Sequence, residues 1–206
     1  MNGDASVCTG GVSQNKSANA VLTANITVNK DVLNANGQPN GEGDAFRKWT
    51  PIGQSFTKAY SGTFDGQGHT ISGLWHWWST DYIGLFGNNE GTIKNLGVVD
   101  SYLSGHENVG GVCGMNSGSL TNCYNTGNVQ GKKNVGGVCG RNDGNHPNFT
   151  NCYYLTKAAS MENYKAPDIT PGAYSLSLIS CYLRNNSGDN LLGWEKITNF
   201  VVTMRQ

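Results

Sequence analysis

The residues of this chain that could do chemistry are its cysteines, its few histidines, its scattered carboxylates and a cluster of tryptophans. Six cysteines, Cys8, Cys113, Cys123, Cys139, Cys152 and Cys181, form an even set, which suits a disulfide framework, while paired spacings would suit zinc. No C-x-x-C occurs, and four of the six fall at equivalent places in a repeat, Cys113 with Cys139 and Cys123 with Cys152. That placement reads as small hydrophobes stacked in columns, with reduced and buried thiols. A Cys113–Cys139 disulfide lies within bridging range of stacked backbones, but parallel Cβ vectors oppose it. The four histidines, His69, His76, His106 and His146, show no metal-ligand spacing, and His106-Glu107 reads as a solvated turn between repeats.

Carboxylate chemistry finds equally little support. Glycoside hydrolysis needs two carboxyl groups at a defined separation, whereas Asp65, Asp81, Glu90 and Asp100 are dispersed along the chain. Asp65, in Gly62-Thr63-Phe64-Asp65-Gly66-Gln67-Gly68, reads as an Asx-type turn former. A calcium ion there would require about six to eight oxygens, and one carboxylate is too few. No G-x-S-x-G elbow or phosphate loop is present, because Gly110-Gly111 and Gly136-Gly137 recur with the structural period. The expectation is a protein without catalytic residues, metal or cofactor.

Tryptophan supplies the one binding candidate. Three of the five tryptophans lie in Leu74-Trp75-His76-Trp77-Trp78. In the equivalent segment Leu96-Gly97-Val98 the first and third residues are apolar, so Leu74, His76 and Trp78 are expected to point inward. Alternation then turns Trp75 and Trp77 outward, roughly 7 Å apart on one face, a spacing on which sugar rings could stack. Trp75 and Trp77 are therefore the predicted ligand-binding residues. The competing reading is that the 34–45 loop, a neighbouring domain or a second copy covers them.

The elements that must position these residues come from a sentence of sequence written three times between Tyr82 and Tyr153. Gly87, Gly114 and Gly140 stand 27 and 26 residues apart, and the third copy is stretched around Asn145-His146-Pro147. Each copy holds two runs too short for a helix, such as Gly111-Val112-Cys113 and Ser119-Leu120-Thr121-Asn122-Cys123-Tyr124. These are rich in residues that suit strands and are separated by glycine and asparagine turns. One copy makes one coil of two or three strands, and coils stack about 4.8 Å apart with parallel pairing. Stacking predicts asparagine ladders through Asn89, Asn116 and Asn142 and through Asn95, Asn122 and Asn151, beside a column of Leu96 over Cys123 over Cys152.

These copies resemble the GLUG motif, which occurs in large bacterial surface proteins including adhesins and some immunoglobulin A proteases. The upstream pieces Trp49-Thr50-Pro51-Ile52-Gly53 and Tyr60 to Leu74 resemble the segment that commonly precedes such repeats, so the likeness extends over about Val21 to Leu155. It implies an all-β fold, a single-stranded right-handed parallel β-helix, in a secreted or surface-attached protein, and it carries over no catalytic residues. Family members place an aliphatic residue where Cys113 and Cys139 stand, in keeping with buried thiols.

Composition agrees with a turn-rich solenoid. Glycine numbers 29, and charged residues make up 14%, with 14 basic and 14 acidic side chains cancelling. Nucleic-acid binding needs a basic face, and no Lys or Arg cluster is longer than Lys132-Lys133. No apolar run approaches the roughly 18 residues of a membrane span, so this segment is not expected to insert. No signal peptide precedes Met1, and the start reads as a cut after a native signal peptide or out of a longer protein, so the absence does not argue for the cytoplasm. The expected organisation is a loose arm at 1–20, a β-helix at 21–155 of six or seven coils, and a capping segment at 156–206. Val21 to Val28 is expected as the first strand, 34–45 as a long loop, Tyr174 to Arg184 as a short amphipathic helix, and Ile197 to Met204 as a last strand. The resulting expectation is a non-enzymatic, adhesin-like module of the bacterial cell surface, or the stalk of a larger surface protein. Its partners would be a glycan or host surface protein and neighbouring domains. The alternative is a carbohydrate-active β-helix that binds or cleaves polysaccharide.

Overall fold

A computed structural model of the chain describes residues 14–142, 148–155, 159–161 and 173–176. The strands are β1 (Ala20–Val21), β2 (Ile26–Thr27), β3 (Thr63–Asp65), β4 (Thr70–Ser72), β5 (Trp75–His76), β6 (Phe86–Asn89), β7 (Thr92–Val99), β8 (Tyr102–Ser104), β9 (Glu107–Gly110), β10 (Cys113–Asn116), β11 (Ser119–Asn125) and β12 (Asn128–Gly131). They continue as β13 (Lys133–Gly136), β14 (Cys139–Asn142), β15 (Asn148–Thr150), β16 (Cys152–Leu155), β17 (Ala159–Met161) and β18 (Ala173–Leu176). Every named strand pair is parallel, and strands pair with the next coil rather than with their sequence neighbours. One sheet follows β1-β3-β7-β11-β16-β18, a second β6-β10-β14 and a third β5-β8-β12-β17, with β9 and β13 joined beside them. The fold is thus a parallel β-solenoid, as the repeats imply.

Three turns have a strand in each of the three sheets, starting at β6, β10 and β14. The expected six or seven coils count the incomplete N-terminal coils as if they were regular. There the chain spends residues 28–62 on loops, short bridges and two 3-10 turns, Gly43–Ala45 and Phe56–Lys58, instead of full strands. The single strand expected over Val21 to Val28 is also broken into β1 and β2, which pair with β3 and β4.

The interior is built from register columns. Phe86 stands against Cys113 and Cys113 against Cys139, while Ile93 pairs with Leu120 and Leu96 with Cys123. All seven belong to one buried apolar cluster, together with Leu74, Leu103, Val129 and Cys152. The four described cysteines are free thiols, fully buried. Burial pushes the Cys113 and Cys123 thiols well above their ordinary range, and the neighbouring thiols of Cys139 and Cys152 add to the effect. These residues sit in the core as small hydrophobes. Cys8 and Cys181 lie outside the described residues.

Both predicted asparagine ladders form. Asn89 Nδ2 donates to Asn116 Oδ1 at 2.7 Å, and Asn116 Nδ2 to Asn142 Oδ1 at 2.8 Å, in the buried ladder. In the exposed one Asn151 donates to Asn122 at 3.1 Å and Asn122 to Asn95 at 2.9 Å. This second ladder ends on a carboxylate, since Asn95 Nδ2 donates to Asp65 Oδ1 at 3.0 Å. Asn95, Asn122 and Asn151 have φ of 55°, 53° and 51°, so the ladder also marks a left-handed corner that asparagine tolerates better than most residues. Glycine serves a different purpose at Gly114, where a Cβ would stand 2.6 Å from Asn108 O and 2.7 Å from Gly87 O.

The helix expected from Tyr174 is corrected at its start. Ala173–Leu176 is β18, paired in parallel with β16 from Cys152↔Ala173 to Leu155↔Leu176, because the edge of the last coil offers unpaired backbone groups. The rest of that helix, the connector prolines Pro167 and Pro171, the insertion at 145–147, the last strand at 197–204 and most of the 1–20 arm and the 156–206 cap lie outside the described residues.

Candidate functional site

The tryptophan segment leaves β4 and forms β5, the first strand of the third sheet. Trp75 pairs with Tyr102 and His76 with Leu103. Leu103 is in the core, so Leu74 and His76 face inward as alternation requires, and Trp75 shares an outward column with Tyr102 and Asn128. Outward does not mean exposed here. Trp75 is only 1% exposed, because the segment from Gly37 to Phe46 crosses the outer face of this sheet. Trp75 Nε1 donates to Gly43 O at 2.8 Å, its ring lies 5.0 Å from both Phe46 and Tyr102, and Asn128 Nδ2 donates to Gly37 O at 2.9 Å. Asp100 fixes the entrance of the same strap by accepting the Val32 and Leu33 amides at 3.2 and 2.8 Å.

Exposure of Trp75 is thus corrected: the strap covers it, the outcome weighed for the 34–45 loop. Trp77 is exposed as expected, at 40%. Trp78, expected inside, is exposed at 42%, because β5 ends at His76 and the strand alternation ends with it. The two indoles pack edge to face with centroids 5.9 Å apart. Lys48, at the end of the strap, places its Nζ over the Trp78 ring. Desolvation lowers the Lys48 ammonium from its ordinary range, against the opposing pull of Asp44.

His76 forms the floor of this corner. Its Nδ1 lies 2.8 Å from Ser104 O and therefore carries the proton, leaving Nε2 to accept from the Thr80 hydroxyl at 3.3 Å. Burial lowers its pKa, the Ser104 bond opposes that, and the Lys48 charge adds to the lowering. The imidazole is neutral and both nitrogens are occupied, so it positions the turn that presents Trp77 and Trp78. Trp78 touches it edge to face at 6.5 Å between centroids.

The remaining candidates have structural work. Asp65 is bonded by Asn95, by the Gln67 amide and by Lys94 at 3.2 Å. Asp81 accepts from His106 Nδ1 at 3.0 Å and from the Glu107 amide at 3.1 Å, and Glu107 pairs with Lys133 at 2.9 Å. Among the described residues no three His, Cys, Asp or Glu side chains are grouped to hold a metal, and no helix is long and apolar enough to cross a membrane. Sequence reasoning missed Trp78 and Lys48. The residues beside Trp78 carry no mark that the strand stops at His76, and nothing local connects Lys48 to a ring so far along the chain.

Comparison with known proteins places this geometry. Residues 105–130, the turn formed by β9 to β12, match the family model for the GLUG motif. Halomucin of Haloquadratum walsbyi (strain DSM 16790 / HBSQ001) is 36% identical over 89 residues, which cover 39% of this chain and 1% of halomucin. A crystal structure of a Bacteroides ovatus protein provisionally assigned as an immunoglobulin A1 protease superposes with a TM-score of 0.54 at 20% identity, over 81% of this chain and 48% of that one. At that identity the likeness is one of fold, and the chain spans about half of the solved structure and a small part of halomucin. Register and superposition agree that the chain is a parallel β-solenoid, and its turn at residues 105–130 carries a GLUG motif.

Proposed function

We propose that this chain is a non-enzymatic module of a larger extracellular protein at a bacterial cell surface, adhesin-like, which binds glycan through Trp77 and Trp78. The observation that carries this reading is the pair of indoles left 40% and 42% exposed at the end of β5, on a turn held by His76 and Thr80. Large aromatics exposed together are uncommon on a solvated surface and suit sugar rings, whose C–H faces stack on indole. The GLUG motif and the likeness to halomucin fit a surface module. The small share of halomucin that is matched fits a part of something longer. The non-enzymatic half of the reading is supported by Asp65, Asp81 and Asp100, which among the described residues are each bound to amides or cations of the scaffold.

The test is a glycan array probed with the wild-type chain and with the double variant Trp77→Ala/Trp78→Ala, both checked for a β-rich circular dichroism spectrum. Binding by the wild type and its loss in a folded double variant is the expected result. Equal binding by both would refute the site. Release of new chain ends from pectin, alginate, heparin or casein would refute the non-enzymatic assignment.

A further inference from the structure

We infer that the glycan bound at the Trp77–Trp78 corner is acidic, a carboxylated polysaccharide, and that Lys48 is the residue that selects it. The inference rests on the glycan reading above and adds the class of ligand. Its basis is the position of the Lys48 ammonium, which lies over the Trp78 ring itself. The half-buried side chain arrives there from the end of the strap, three residues after the last residue of the Gly43–Ala45 turn.

That position has two consequences of opposite sign for two kinds of sugar. A neutral sugar ring that stacks on the same indole face must displace the ammonium, losing a cation–π contact without a charge to put in its place. An acidic sugar can stack and offer its carboxylate to the displaced ammonium, exchanging the cation–π contact for a charge-assisted hydrogen bond. Lysine suits the exchange because its long stem lets the charge swing while the backbone stays fixed by Arg47 N donating to Asn29 Oδ1 at 2.9 Å. The carboxylate whose field reaches Lys48 does not cancel the effect, because Asp44 is exposed and acts on Lys48 from a distance, with no contact of ion-pair length between them. Lys48 therefore acts as a gate on Trp78 that acidic ligands open at a gain and neutral ligands open at a loss.

The experiment titrates the whole chain with polygalacturonate and hyaluronan, and with neutral hydroxyethyl cellulose and xyloglucan, reading tryptophan fluorescence and calorimetry at low and at physiological salt. The variants are Lys48→Gln and Trp78→Ala. The expected result is about tenfold tighter binding of at least one acidic polymer than of either neutral one, weakened by salt, and levelled in Lys48→Gln by loss of acidic binding and gain of neutral binding. Equal affinity for acidic and neutral polymers, or an acidic preference unchanged in Lys48→Gln, would overturn the role of Lys48 and leave the glycan site standing. Binding that survives Trp78→Ala, or no binding of any polymer, would overturn the site and the inference with it.

Discussion

Replacing Asn116 by alanine removes the middle rung of the buried ladder without a backbone penalty, since Asn116 is not among the left-handed residues. Two short side-chain bonds disappear, from Asn89 Nδ2 at 2.7 Å and to Asn142 Oδ1 at 2.8 Å, along with the longer contact to Gly118 O at 3.3 Å. Asn89 Nδ2 retains Gly91 O at 3.3 Å and Ser119 O at 3.4 Å, so part of its donor capacity stays satisfied. At about 1 kcal/mol per lost bond plus about 1 kcal/mol for imperfectly paired buried groups, the expected destabilisation is roughly 3 kcal/mol. Asn122 provides the contrast. It also has two ladder bonds, but they are exposed and water replaces them, leaving about 0.5 kcal/mol for the bonds and about 1 kcal/mol for an alanine held at φ 53°. Urea unfolding of both variants, followed by circular dichroism at 25 °C, measures the difference. An Asn116→Ala cost below about 1 kcal/mol, or one smaller than that of Asn122→Ala, would show that the ladder is a consequence of stacking rather than a source of stability.

Three further outcomes are expected. Trp75→Ala should destabilise the chain by about 3–5 kcal/mol in urea, the cost of emptying a large buried aromatic site, whereas Trp77→Ala should change stability by less than about 1 kcal/mol; similar costs for the two would contradict the strap packing. His76 is held below its ordinary pKa of 6.5 chiefly by desolvation, so its contribution is fully present above that value and is lost as pH falls through the lower folded pKa. Stability measured from pH 7.5 downward should thus decline more steeply in the wild type than in His76→Gln, and parallel curves would place the imidazole in water. Cys113, Cys123, Cys139 and Cys152 should resist a thiol reagent in the folded protein and react in denaturant without a reductant, read by peptide mapping; four that react only after reduction would replace thiol columns by disulfides.

The period of the sequence was enough to determine the solenoid, the ladders and the cysteine columns, because stacked coils place each residue over its counterpart and the energy of the fold repeats with the same spacing. Asn89 over Asn116 and Leu96 over Cys123 are local facts in that sense, readable from positions 27 residues apart. The same logic fixed which way Leu74 and His76 face. It could not fix what lies on the outside of the coil. Trp75 is outward by alternation and buried by the strap, and Trp78 is exposed because β5 stops two residues before it. Both outcomes depend on where a non-repeating segment comes to rest, through Gly43 O on the Trp75 indole, Gly37 O on Asn128 and the Lys48 ammonium on Trp78. Those contacts join residues of unrelated sequence with no period to reveal them, so only the tertiary structure decided which tryptophans reach the surface and which cation meets them.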